Sequence, residues 1–437
     1  MKLISHQTNC LSGEVICPGD KSISQRILII GFLINCNIKI SGFLDAEDPN
    51  STLKALKRIG ASIHKDDEFV YLNKIKNPFK SPIEKLDLGN SGTGMRLILG
   101  LISGLGINAT LIGDKSLSKR PMSRVIEPLK AMGVDIKSNN GVAPLKILGG
   151  NILNDFKYEM PIASAQVKSS LILAALSSNN SITITEPKTT RDHTERMIEY
   201  FGGDIQYGDK NNKGVIKLNT RKLKPAKSYN VVGDFSSAAF IIVAALISSK
   251  SEILIKDVGL NPSRSGLLEI LILMGANIQI KNKKTVCNEE VGDILVRSSS
   301  LQGINIPEDI IPNIIDEIPI LSIAAAFAEG NTCIRNAKEL RVKESDRINA
   351  ISEGLKKLNI NHKVFDDGLS IVGTNNLINC NEEIDSFNDH RIAMSFLIAG
   401  IRSIDAVKVK NCVNIETSFP LFKDIMNSLG MRINEED

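Results

Sequence analysis

Apolar positions along the chain fall into two kinds of helical segment, and the two kinds alternate. One kind is amphipathic and closes the same way each time: an apolar pair, a Gly or Asn, then strand-like alternation. The copies are Leu56–Ile63, Leu129–Ile136, Ile198–Ile205, Leu271–Ile278, Leu355–His362 and Met426–Ile433. The Gly or Asn suits a left-handed helix stop. The copies recur every roughly 70 to 85 residues, too far apart for a solenoid unit. The pattern predicts six small αβ subdomains, three in each of two domains.

The other kind is apolar on nearly every side: Arg26–Gly31, Arg96–Leu105, Ser169–Leu176, Ala238–Ile247, Ile318–Phe327 and Ile392–Ile401. A helix apolar all round is a buried one. Burying three per domain puts the helices inside and the sheets outside. Each begins with a polar motif: Gly19-Asp20-Lys21-Ser22, Gly89-Asn90-Ser91-Gly92-Thr93, Ser164-Ala165-Gln166, Gly233-Asp234-Phe235-Ser236-Ser237, Asp316-Glu317 and Asn388-Asp389-His390-Arg391. Packed in parallel, the three helices of a domain would aim their N-termini at one end and add their dipoles to a positive potential. Two such ends facing each other would make an anion cleft.

Composition narrows the partners. At 437 residues the natural division is two domains of about 200 residues. A formal charge of +4 with signs interspersed does not suggest a nucleic-acid surface. No apolar run reaches the ~18 residues of a bilayer span, and Met1 runs into strand-like sequence with no signal segment. The seven cysteines are scattered with no CxxC pair, so neither a disulfide framework nor a zinc site is read. A reduced cytoplasm fits. Ring-forming clamps also repeat αβ units, but they need lysines spread over a surface. Here the charges sit where buried helices begin.

The motifs themselves point to acidic ligands. In Pro18-Gly19-Asp20-Lys21-Ser22-Ile23-Ser24-Gln25-Arg26, Gly19 allows a tight turn, and the helix start beyond it favours anions. Arg26, four residues after Ser22, shares its helix face. Gly92 and Gly94 would let a ligand approach the backbone closely, without the Lys of a nucleotide loop. The basic loop Gly113 to Arg124 suits a lid over an acidic ligand. Gln166 and Lys168 are not explained by capping, and His193 reads as a local hydrogen-bonding residue. Among so many cations Asp316 would stay ionised and could act as a base. In Arg341-Val342-Lys343-Glu344-Ser345-Asp346-Arg347, Lys343 and Arg347 are expected one helical turn apart.

Taken in order, the socket at Pro18–Arg26, Gly89–Arg96, Lys119-Arg120-Pro121, Ser164-Ala165-Gln166, Arg341–Arg347 and Asn388–Arg391 closely resemble the 5-enolpyruvylshikimate-3-phosphate synthase family over the length of the chain. The resemblance implies two inside-out α/β domains, each of three βαβαββ-like subdomains with buried parallel helices. The implied domains are 1–19 with 233–437, and 20–232, with the active site in the cleft between them. It implies transfer of the enolpyruvyl group of phosphoenolpyruvate to the 5-hydroxyl of shikimate 3-phosphate, releasing phosphate, by a cytoplasmic monomer without cofactor or metal. Lys21, Ser22, Arg26, Ser164, Ala165, Gln166, Arg191, Asp316 and Lys343 would meet shikimate 3-phosphate. Lys21, Asn90, Gly92, Arg120, Gln166, Arg347 and Arg391 would meet phosphoenolpyruvate. Asp316, Glu344, Lys21 and Lys343 would be catalytic: Asp316 as proton acceptor, with Lys343 beside it, and Glu344 or Lys21 as proton donor to the methylene carbon.

The chain departs from part of that pattern. Gln25 stands where many members have His, Glu339 where some have Asn, and Thr417 where some have a substrate-binding Lys. Gly92 is the small residue expected of glyphosate-sensitive members. The nearest rival, UDP-N-acetylglucosamine enolpyruvyl transferase, places a reactive Cys in the mobile loop, and Gly113 to Arg124 contains none. A non-catalytic, clamp-like anion binder is the other alternative.

Overall fold

A computed structural model describes residues 1–76, 79–210, 213–219 and 222–436. The chain divides into two compact units. One is discontinuous: Met1–Pro18, Gly233–Lys284 and Glu290–Asp437. The other, the inserted unit, is Gly19–Val232 with Thr285–Glu289. Among the described residues the strands form six sheets, three built on each unit's share of the chain.

The sheets share one plan. In the inserted unit, Ile38–Ser41 pairs parallel with Ser228–Asn230 and antiparallel with Phe69–Asn73, which pairs antiparallel with Ser62–Lys65. Ala109–Ile112 and Ile182–Glu186 sit in the same place in their sheets, each with one parallel and one antiparallel neighbour. In the discontinuous unit Ser12–Ile16 runs parallel to Glu252–Gly259. Lys2–His6 lies between Val407–Lys410 and Arg432–Glu436, antiparallel to both. Among the described residues, three strands form the sheet of Asn331–Ile334. Its parallel neighbour shrinks to a single bridge, Asn305 to Cys333.

Six helices are the buried ones: α1 (Lys21–Ile34), α2 (Gly92–Leu105), α3 (Ala165–Ser178), α4 (Phe235–Ile247), α5 (Ile318–Ala326) and α6 (His390–Ala399). All 13 residues of α4 are buried, and its apolar run from Ala238 to Ile247 requires that. In α2 and α3 small residues bring the backbones together. A Cβ on Gly100 would sit 2.1 Å from Ser170 O, and one on Gly104 2.2 Å from Ala174 O. The outer helices end at Gly60, Gly133, Gly202, Gly275, Asn359 and Gly430, all with positive φ. The fold is the inside-out, helix-within-sheet α/β architecture the periodicity predicts.

Two local expectations fail. Lys343 and Arg347 are not a turn apart on one helix. Lys338–Val342 is a short 3-10 helix, Lys343 leaves the helical conformation (φ −81°, ψ −148°), and a new helix, Arg347–Lys357, starts only after Asp346 accepts from Asn349 N. The cap breaks the run because its side chain satisfies the amide that a continuing helix would have used. Gly19 is needed for closeness rather than for turn geometry. Its φ is not positive, but a Cβ there would lie 1.8 Å from Gly42 O.

Candidate active site

The inserted unit gathers its polar helix starts by hydrogen bonds that run from one buried helix to the next. Asp20 caps α1 by accepting from Ile23 N at 2.8 Å. One turn on, Gln25 Nε2 lies 2.6 Å from Ser91 Oγ, the cap of α2, and 3.1 Å from Asp48 O. From the start of α3, Gln166 donates to Thr93 Oγ1 at 2.9 Å and accepts from Arg96 Nη1 at 2.7 Å. The three N-termini therefore lie at one end of the unit. That is where their dipoles favour an anion.

The cations of this end are held by neutral groups and by carboxylates. Arg26 is buried and donates to Thr194 Oγ1 at 2.8 Å, Ser22 O at 3.1 Å and Ser169 Oγ at 3.2 Å. Burial without a carboxylate in contact lowers its pKa to about 10, which leaves it protonated at neutral pH. Arg120 donates to Asn90 Oδ1 at 2.6 Å. A Cβ on Gly92 would stand 2.9 Å from Arg96 Nη1 and 3.0 Å from Arg120 Nη1. Lys21 differs, pairing with Asp48 at 3.0 Å. Ser164 caps α3 at Val167 N, and Ala165 is the first residue of that helix. Arg191 lies just before the helix His193–Tyr200, and its charge acts on Arg26. His193 meets Glu289 at 2.7 Å through Nδ1.

Lys168, which capping left unexplained, is almost fully buried. It pairs with Glu186 at 3.0 Å and Glu195 at 2.8 Å and donates to Thr190 O at 3.2 Å. Burial works against its charge, but the two carboxylates outweigh it and raise its pKa. Thr190 in turn donates to Glu186 through its backbone N and Oγ1. This ties down the segment that carries Arg191.

In the discontinuous unit the same kind of helix-start cluster is built from charge pairs. Asp316 Oδ1 lies 3.3 Å from Arg347 Nη1 and 3.4 Å from Lys343 Nζ, and its Oδ2 is 3.8 Å from Arg264 Nη1. Arg347 donates to Asp389 at 2.8 Å and to Glu344 at 2.6 Å. Burial alone would lower the Arg347 pKa, yet Asp389, Glu344 and Asp316 carry it above the usual arginine range. Arg391 donates to Asp316 O at 3.0 Å and Ser236 Oγ at 3.2 Å. Asp316, Glu344, Lys343, Arg347 and Arg391 are thus one cluster, although 75 residues separate its extremes.

Sequence reading missed Arg264, Ser236 and Glu317 as members of this cluster. Arg264 sits in the turn Asn261–Ser265 rather than at a buried helix start. Only its place beside an apolar helix, Gly266–Leu273, could have drawn attention to it. Thr194 and Ser169 were missed because hydroxyls near helix starts read as ordinary caps.

Arginines anchored at buried helix starts, with a carboxylate between two cations, define an enzyme-type site for polyanionic ligands with acid–base groups at hand. Comparison with known proteins is specific. Residues 5–426 match the family model of EPSP synthase (3-phosphoshikimate 1-carboxyvinyltransferase). A 3-phosphoshikimate 1-carboxyvinyltransferase of Petrotoga mobilis is 48% identical over 435 residues, covering 98% of this chain and 99% of that one. One of Ruthia magnifica is 45% identical over 434 residues, with 99% of each covered. A solved EPSP synthase of Acinetobacter baumannii superposes with a TM-score of 0.86 at 39% identity, covering 99% of this chain and all of that one. The chain belongs to the EPSP synthase family.

Proposed function

We propose that the protein transfers the enolpyruvyl group of phosphoenolpyruvate to the 5-hydroxyl of shikimate 3-phosphate, giving 5-enolpyruvylshikimate 3-phosphate and phosphate. The observation that carries this reading is the Asp316 cluster: a carboxylate at 3.3 to 3.4 Å from Arg347 and Lys343, in a chain of this family. Ser22, Arg26, Ser164, Ala165, Gln166 and Arg191 hold shikimate 3-phosphate, and Lys21, Asn90, Gly92, Arg120, Gln166, Arg347 and Arg391 hold phosphoenolpyruvate. In this reading the helix-start ends of the two units, 1–19 with 233–437 and 20–232, face one cleft. Closure there excludes water and strengthens every ionic contact.

The chemistry follows from those placements. Asp316 takes the proton of the 5-hydroxyl as its oxygen bonds to C2 of phosphoenolpyruvate, and Lys343 neutralises the developing alkoxide. A proton delivered to the methylene carbon makes it a methyl group and gives a tetrahedral intermediate. Loss of a methyl proton then re-forms the double bond and expels phosphate. Glu344, hydrogen-bonded to Arg347, or Lys21, paired with Asp48, gives the first proton. Arginines and helix termini neutralise the phosphates, so the reading calls on no metal or cofactor. The protein works as a monomer in the cytoplasm, without nucleic-acid or membrane partners.

A coupled phosphate-release assay tests the whole reading. Release with phosphoenolpyruvate and shikimate 3-phosphate, but not with UDP-N-acetylglucosamine as acceptor, is the expected result. The reverse preference, or no release with either, overturns it.

A further inference from the structure

Ser236, in the first turn of α4, makes three polar contacts through one hydroxyl. Its Oγ lies 2.6 Å from Arg264 Nη2 and 3.2 Å from Arg391 Nη2, and it is hydrogen-bonded to Glu317 Oε1. Chemistry fixes the direction of each. A guanidinium can only donate, and an ionised carboxylate can only accept. The hydroxyl therefore gives its single proton to Glu317 and both lone pairs to the two arginines. Nothing in its bonding capacity is left over.

Glu317 has no simpler explanation. It occupies the N-cap position of α5, yet its side chain caps nothing. It is 1% exposed. Its Oε2 has no hydrogen-bond partner among the described residues, so its contacts run through Oε1, to Ser236 and, at 3.4 Å, to Arg391 Nη1. A buried carboxylate is costly to keep, and here it serves to orient one hydroxyl and one guanidinium.

We propose that Ser236 and Glu317 are positioning residues that set the aim of Arg391 and lock it to Arg264 beside Asp316. This rests on the reading above that Arg391 meets phosphoenolpyruvate. Fixing a guanidinium before the ligand arrives lowers the ordering cost of binding. The linked arginines also join the donor-binding group to the base, because Arg391 reaches Asp316 O while Arg264 lies near Asp316 Oδ2.

The test uses the full-length protein and steady-state kinetics with each substrate varied in turn. Ser236→Ala raises the KM for phosphoenolpyruvate about tenfold to a hundredfold, the range for a hydrogen bond to a charged group, and leaves the KM for shikimate 3-phosphate nearly unchanged. Glu317→Ala gives the same selective shift and serves as the test if Ser236→Ala does not fold. The double variant is no worse than either single one, since both break one linkage. Glu317→Gln keeps the Oε1 acceptor and restores the KM. Folded variants whose KM for phosphoenolpyruvate does not move, or moves equally with that of shikimate 3-phosphate, overturn the inference. So does Glu317→Gln behaving like Glu317→Ala. Wild-type protein that releases no phosphate from the substrate pair refutes the proposed function instead, so the two failures are distinguishable.

Discussion

Two buried arginines at helix starts, Arg26 in the inserted unit and Arg347 in the discontinuous one, solve the same problem with different partners. In the inserted unit Arg26 rests on two hydroxyls and a carbonyl, although Lys21 and Lys168 there pair with carboxylates. In the discontinuous unit Arg347 rests on Asp389, Glu344 and Asp316, and Arg264 on Asp234. Burial moves the pKa of Arg26 down, whereas carboxylates move that of Arg347 up. Neutral partners leave a net positive charge that an incoming phosphate can neutralise. Carboxylate partners cancel the charge but supply groups that can carry protons. The first arrangement is suited to holding a ligand and the second to reacting with it.

The sharpest test of that division is Asp316→Asn. Removing a general base lowers kcat about 10²- to 10⁴-fold, while the KM for shikimate 3-phosphate stays close to that of the wild type. A loss in KM instead would put binding, not proton transfer, in the discontinuous unit. Next in size is Arg347→Met. It strands Asp389, which is fully buried, and should cost about 3–5 kcal/mol of stability in urea unfolding. Arg26→Met leaves only hydroxyls and a carbonyl behind. Its stability changes little, but the KM for shikimate 3-phosphate rises about tenfold to a hundredfold. Equal destabilisation by the two arginine variants would erase the contrast between the units. The smallest effect belongs to Gly92→Ala. Its new Cβ is crowded by the movable ends of Arg96 and Arg120 and meets Leu117 at ordinary contact distance, so stability holds within about 1 kcal/mol. The KM for phosphoenolpyruvate rises several-fold, and inhibition by glyphosate, competed against phosphoenolpyruvate, weakens with it.

Much of this was legible before any coordinates because two periodic signals agreed. The Gly or Asn stops marked where each outer helix ends, and all six adopt the left-handed backbone that such a stop needs. The all-round apolar helices marked what must be inside. Burial also made their polar first turns conspicuous, so Lys21, Gln166, Asp316 and Arg391 stood out. What stayed hidden depends on tertiary contact. Nothing local says that Arg264, in a turn, reaches Ser236 across 28 residues, or that Thr194 supports Arg26 across 168. The misreading of Lys343 and Arg347 has another cause. Charge spacing suggested a continuous helix, but Asp346 is a stronger local signal, and its cap starts the helix afresh.

The strand Lys2–His6 pairs on one side with Arg432–Glu436, in a register that sets Lys2 opposite Glu436. The discontinuous unit therefore cannot complete this sheet until Arg432–Glu436 has been made. The Gly19–Val232 segment, which supplies almost all of the inserted unit, has no such wait. It can close its core while the rest of the chain is still being made, so vectorial synthesis gives the inserted unit a head start. During that interval the opening strands have no neighbours. Unpaired edges of this kind are what nascent-chain chaperones cover.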